Sequence, residues 1–272
     1  MGQAMNRRAF DVIRYGILAI GLCFFILPVA SAIEFSLRSY GNKGHNFSNY
    51  QWIFQQEDFF INITISLKLA LVAALLTLVT VVPAVTYLHL EGARYKRIFE
   101  FLAILPLVVP VVSLAIGAQK AMPEFIQNSQ YELAFFYVVI AIPYTFQSLN
   151  VGLSSIPLKT LVEASRSLGA SFTRTVLSVI IPAIRGSINS AIFLAITLSF
   201  GEFTLTSLLH WETFPVWITR ASQGNVLGSI ALSMFSLIGA WILLIGVQAA
   251  QNWKGIKLKK SAPEISEEEV LA

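Results

Sequence analysis

Residues 61–89 read INITISLKLALVAALLTLVTVVPAVTYLH, a run whose only formal charge is Lys68 and whose last residue is His89. About 20 apolar residues wound as an α-helix cross the ~30 Å hydrocarbon core of a bilayer. The run is long enough to span. Lys68 and His89 lie towards its ends, where long polar side chains snorkel to the interface.

The pattern recurs along the chain. Of 272 residues, 56% are hydrophobic and 12% charged, about half the ~25% charge of a typical soluble protein. Apolar runs and their breaks predict six helices: Val12–Ile33, Ile61–His89, Ile98–Gln119, Leu133–Leu149, Ile188–Leu209 and Leu227–Gln248. Polar segments 34–60, 90–97, 120–132, 150–187 and 210–226 separate them. The expected fold is all-α, a polytopic membrane domain over residues 1–250. A polar tail, 251–272, follows, and its glutamate-rich end is expected to be disordered.

The formal charge of +4 belongs to topology rather than to nucleic-acid binding. With the N-terminus inside, fourteen Lys and Arg fall on the cytoplasmic side and five outside, together all 19. This bias places both termini in the cytoplasm. Arg7, Arg8 and Arg14 ahead of an apolar run ending near Ala30-Ser31-Ala32 resemble a signal peptide. The run continues to Ile33, longer than a signal core, so an uncleaved helix is expected. Pro106 and Pro110, four residues apart, predict kinks on one face of the third span, read first as a static bend packed on a neighbour, with a hinge lining a moving pathway as the alternative. Gly224 and Gly228 form a GxxxG spacing at the edge of the last span and carry no weight there.

Enzyme chemistry finds no support. There is no G-x-x-x-x-G-K-[ST] phosphate loop, no H-E-x-x-H, no G-x-S-x-G, and the single cysteine, Cys23, lies in an apolar run. No catalytic residue and no metal ligand set is assigned. An ATPase-independent channel and an intramembrane enzyme remain as remote alternatives.

Segment 150–187 is too long for a plain connector. Leu158, Leu161, Val162, Ser165, Leu168 and Phe172 recur at roughly helical spacing, with Lys159, Glu163 and Arg166 mainly off that stripe. Pro157 suits a first helical turn, and Gly169 suits a sharp turn between two short helices. Thr173–Ile181 supplies the second, stopped or kinked at Pro182. Periodicity alone equally allows an amphipathic hairpin on the inner leaflet.

Particular residues decide between these. Glu163-Ala164-Ser165, Gly169 and Val179-x-Ile181-Pro182 resemble the EAA loop of permease subunits of binding-protein-dependent ABC importers. Glu163, Ala164, Gly169 and Pro182 match in identity and spacing; Ser165 stands for the second alanine, and Leu168 for a common aspartate. Asn49-Tyr50, Leu105-Pro106-Leu107 with Pro110, and Leu198–Phe203 with Pro215 extend the likeness. The nearest branch looks like the one handling polyamines, ferric iron, thiamine, phosphonates or oxyanions.

The resemblance implies a MetI-like, type I importer fold with six spans in the bacterial inner membrane. It implies a second permease subunit, a paralogue by expectation, an external solute-binding protein and a dimer of ATPase subunits. The ATPase would hold ATP and magnesium, leaving no cofactor in this chain. Glu163, Ala164, Ser165, Gly169 and Pro182 would dock on the ATPase. The expected solute is small and polar, a polyamine first, with ferric iron, thiamine, phosphonate or an oxyanion as alternatives. In the fifth span Ser199 and Glu202 are candidate pathway residues, because a charge at the centre of a span costs about 2.5–3.5 kcal/mol and should face protein or water.

Overall fold

The computed structural model describes residues 2–39, 44–91, 94–127 and 129–260. Among them the chain is helical, apart from turns and an isolated antiparallel bridge between Arg38 and His45. It divides into two compact units, one of residues 57–220 and one formed by residues 1–56 with 221–272.

In the second of these, α1 (Gly2–Leu37) runs along α14 (Val226–Lys260), and the short α2 (Ser48–Gln55) packs on both. Buried Asn49 explains its place in the resemblance. Its Nδ2 donates to the carbonyls of Ser36 and Arg38, both at 2.9 Å, satisfying carbonyls that the end of α1 leaves open. The Ser36 hydroxyl lies 2.9 Å from that of Tyr50. Gly228 has a role that its spacing with Gly224 does not reveal. A β-carbon there would stand 2.5 Å from Trp52, whereas one at Gly224 would meet nothing within 4 Å. Phe10, Ile13, Ile17, Phe24 and Phe25 of α1 are exposed, as befits a helix bathed in hydrocarbon.

In the unit of residues 57–220, α3 (Glu57–Leu90), α7 (Glu132–Ser154) and α11 (Arg185–Phe200) form the core, with α4 (Lys96–Val108) against α7. Glu57 and Asp58 open α3, favourable beside its positive dipole end. Ala74, Ala141 and Ala195, all buried, meet where the three long helices approach. Small residues permit such approach, and dispersion between close backbones replaces the hydrophobic drive that lipid does not supply.

Helices long and apolar enough to cross a membrane are Phe10–Leu37, Glu57–Leu90, Glu132–Ser154 and Arg185–Leu208. Lys96–Val108 and α5 (Val111–Ala121) are apolar enough only when taken together, and they are bent by 101° at the break between them. The sixth expected run lies in α14, whose described apolar stretch is Val226–Ile242. That helix continues through 251–260 of the expected tail; residues 261–272 lie outside the described residues.

The third span bends more sharply than the kinks expected of it, and the fifth is broken. Pro106 sits inside α4, and the break falls at Val109, which is extended at φ −75°, ψ 127°. Val109 precedes Pro110, whose ring disfavours the helical region for its neighbour. The fifth span stops at Phe200, resumes as α12 (Thr204–Leu208), and leaves Glu202 in the break.

Candidate functional site

The loop from 155 to 184 leaves α7 and returns to α11. Its base is a close helix crossing. A β-carbon on Gly152 would collide with Ser187, and the Ser148 hydroxyl donates to the Ser187 carbonyl at 3.1 Å. Leu158 N–H bonds the Ile156 carbonyl at 2.8 Å, and Pro157 has φ −75°, ψ 67°. This is an inverse γ-turn, so Pro157 stands at the N-cap of α8 (Leu158–Ser167), one place before the first helical residue.

Leu158, Val162 and Ser165 face inward from α8, on the predicted stripe. Leu158 and Val162 join Ile180 and Ile184 in a core shared with α3 and α7. Glu163 and Ala164 lie on the exposed side. The stripe ends with the helix: Leu168 is 89% exposed and Phe172 48%. Arg166 and Glu91 form an exposed pair at 3.8 Å between α8 and the end of α3, worth about 0–1 kcal/mol.

The tip is a Schellman turn. Gly169 has φ +78°; its N–H reaches the Arg166 carbonyl at 2.9 Å, and the Ala170 N–H reaches the Ser165 carbonyl at 3.1 Å. The sharp turn expected of Gly169 is present. Ser171 then caps α9 (Phe172–Thr175), its hydroxyl accepting from Arg174 N–H at 3.4 Å. A π turn over Val176–Ile180 precedes α10 (Ile181–Ala183). A proline ring clashes with the carbonyl four residues back; the wider turn ahead of exposed Pro182 carries the chain past that clash.

Ser165 is the residue the sequence places differently. It is buried, and its hydroxyl lies 2.9 Å from that of Thr175, which also reaches the Ser171 carbonyl at 3.1 Å. It links the arms of the loop and lies on the opposite side of α8 from the exposed Glu163 and Ala164. Thr175 carries no sequence signal for this role.

The two pathway candidates are locally engaged. Ser199 is buried and donates to Ala195 O at 2.6 Å. Half-buried Glu202 accepts from Leu205 N–H at 2.9 Å through Oε1, capping the first turn of α12. The expected charge inside a helix is therefore a carboxylate in a helix break that serves the backbone. Sequence reasoning also missed Glu132, 1% exposed, whose Oε1 accepts from Trp211 Nε1 at 2.5 Å. An acid at a helix start ordinarily reads as solvated, so nothing in the sequence marks it. Among the described residues no cluster of His, Cys, Asp or Glu could hold a metal ion.

The described residues thus form a helical domain with several apolar spans and a structured loop between two of its core helices. The chain belongs to the family of binding-protein-dependent transport system inner membrane components, whose profile matches residues 84–253. It is thus an integral membrane permease component of an ABC importer. It is 26% identical over 199 residues to the putative 2-aminoethylphosphonate transport system permease protein PhnV of Salmonella choleraesuis (strain SC-B67), covering 71% of this chain and 75% of that one. The probable transport system permease protein NifC of Clostridium pasteurianum is 24% identical over 250 residues, covering 85% and 84%. The fold matches a bacterial ABC transporter involved in the import of the acidic polysaccharide alginate, with a TM-score of 0.68 and 16% identity over 90% of this chain and 97% of that one.

Proposed function

We propose that this chain is one of two membrane-spanning subunits of an ATP-driven importer and that its 150–187 loop docks on a separate ATPase subunit. The observation that carries the reading is the turn at Gly169, whose φ of +78° closes α8. Leu158 and Val162 root that helix in the core, while Glu163 and Ala164 stay exposed. A rigid, rooted helix with a free outer face is what transmission of an ATPase movement requires. Glu163 offers charge to a basic group, Ala164 allows close backbone approach, and Gly169 and Pro182 shape the return arm. Ser165 acts from inside.

In this reading two ATPase subunits hold ATP and magnesium, a second permease, a paralogue, completes the pathway, and an external protein delivers solute. The positive-residue bias supports cytoplasmic termini in the bacterial inner membrane. The relatives' names favour a phosphonate-like solute over the polyamine expected from sequence. Glu202 then meets a cationic group of the solute; Ser199, bonded to its own helix, drops out of the pathway.

The test is reconstitution in vesicles with the ATPase that copurifies in mild detergent and the matching binding protein. Uptake of labelled 2-aminoethylphosphonate that requires ATP is expected. Uptake of spermidine alone would return the solute to the polyamine branch. Uptake without ATP would make the chain a channel.

A further inference from the structure

Glu132 stands on the first turn of α7, buried, with Oε1 bonded to Trp211 and Oε2 without a partner. A buried carboxyl oxygen without a partner keeps much of its desolvation penalty. Trp211 is held in place by a second Schellman turn. His210 N–H reaches the Ser207 carbonyl at 3.3 Å and Trp211 N–H the Thr206 carbonyl at 3.1 Å. His210 takes the position usually filled by glycine, at φ +59°, so its β-carbon strains the turn. Two neutral bonds tie the same segment down. The Tyr137 hydroxyl lies 2.8 Å from that of Thr206, and Phe214 N–H donates to the Ser66 hydroxyl at 2.8 Å. Between them Thr213 is 1% exposed.

Of these three ties, the one through Glu132 ends on a buried carboxyl group with one oxygen unpartnered, beside a strained turn. Opening it hydrates the unpartnered Oε2 and relaxes His210, and these gains recover only part of the lost bond. The neutral ties offer no such return and suit a hinge.

We infer that Glu132 is a positioning residue. With Trp211 it forms a latch that holds segment 204–214 against the N-terminal ends of α3 and α7, and its release uncovers that end of the pathway during transport. This rests on the proposed orientation, which puts that end outside the cell.

The test is a Thr213→Cys probe in a Cys23→Ser background, in right-side-out vesicles holding the whole transporter, treated with a membrane-impermeant maleimide. Labelling should be slow at rest. Glu132→Ala and Trp211→Phe should speed it about tenfold, the scale of one lost buried hydrogen bond. Glu132→Gln, which keeps the acceptor, should leave it slow. ATP hydrolysis without the binding protein should rise in Glu132→Ala, and a control cysteine at Ala141, in the core, should stay unlabelled. Unchanged labelling at 213 in both disrupting variants would overturn the latch, and so would labelling at 141 as well, which marks simple unfolding. Labelling of 213 only in inverted vesicles would overturn the orientation instead.

Discussion

The hydroxyls of Ser165 and Thr175 lie 2.9 Å apart and join the outgoing and returning arms of the 155–184 loop. Ser165→Ala restores the family's usual alanine but breaks this link. Thr175 keeps its bond to Ser171, so no donor is orphaned. Thermal unfolding in detergent should show a loss of about 1 kcal/mol, with ATPase copurification retained. Loss of copurification in a well-folded Ser165→Ala protein would return this side chain to the docking face.

Gly169→Asp should abolish uptake while the protein still inserts. A β-carbon there meets nothing within 4 Å, so the change brings no clash within the chain. The left-handed backbone alone costs about 1–2 kcal/mol. The defect should appear as lost ATPase copurification, or as hydrolysis that the loaded binding protein no longer stimulates. Normal transport would refute the docking loop.

Gly152→Ala places a methyl group against Ser187 at the loop's base. Overpacking of this kind costs about 1–3 kcal/mol. Since the β-carbon of Ser187 is itself in the way, Ser187→Gly should rescue the thermal stability and Ser187→Ala should rescue it less. Equal rescue by both would show that the crossing relaxes by backbone movement.

Glu202→Gln keeps an oxygen that can accept from Leu205 N–H, so α12 stays capped while the charge is lost. If the carboxylate meets a cationic group of the solute, uptake should fall about tenfold with assembly and unstimulated ATP hydrolysis unchanged. Unaltered uptake in an assembled variant would confine Glu202 to capping.

Asn46 and Ser171, both exposed, are expected on opposite sides of the membrane. In a Cys23→Ser background, cysteine at 46 should label from outside and cysteine at 171 only from inside. External labelling at 171 would turn the loop away from ATP.

The spans and the loop were legible because apolar runs, glycine and proline act locally. Gly169 illustrates this: one residue type at one position specifies the turn. Breaks were less legible, because Pro106 and Pro110 look alike until the conformation of Val109 separates them. Contacts made across the fold left no trace. Ser165 reads as part of an apolar stripe, but its partner lies ten residues away across the turn. Glu132 and Trp211 are 79 residues apart, and no periodicity links them. Gly228 was legible only as half of a spacing with Gly224, yet its neighbour is Trp52.

The same chain reversal occurs before and after α11, once on Gly169 and once on His210. At Gly169 the reversal is free of side-chain strain, so that tip holds its shape with no partner present and can be cast before assembly. At His210 the same geometry carries a β-carbon in the left-handed region, and contacts from Ser66, Glu132 and Tyr137 brace the segment around it. One reversal is thus a finished die, and the other is a clasp braced by the contacts around it.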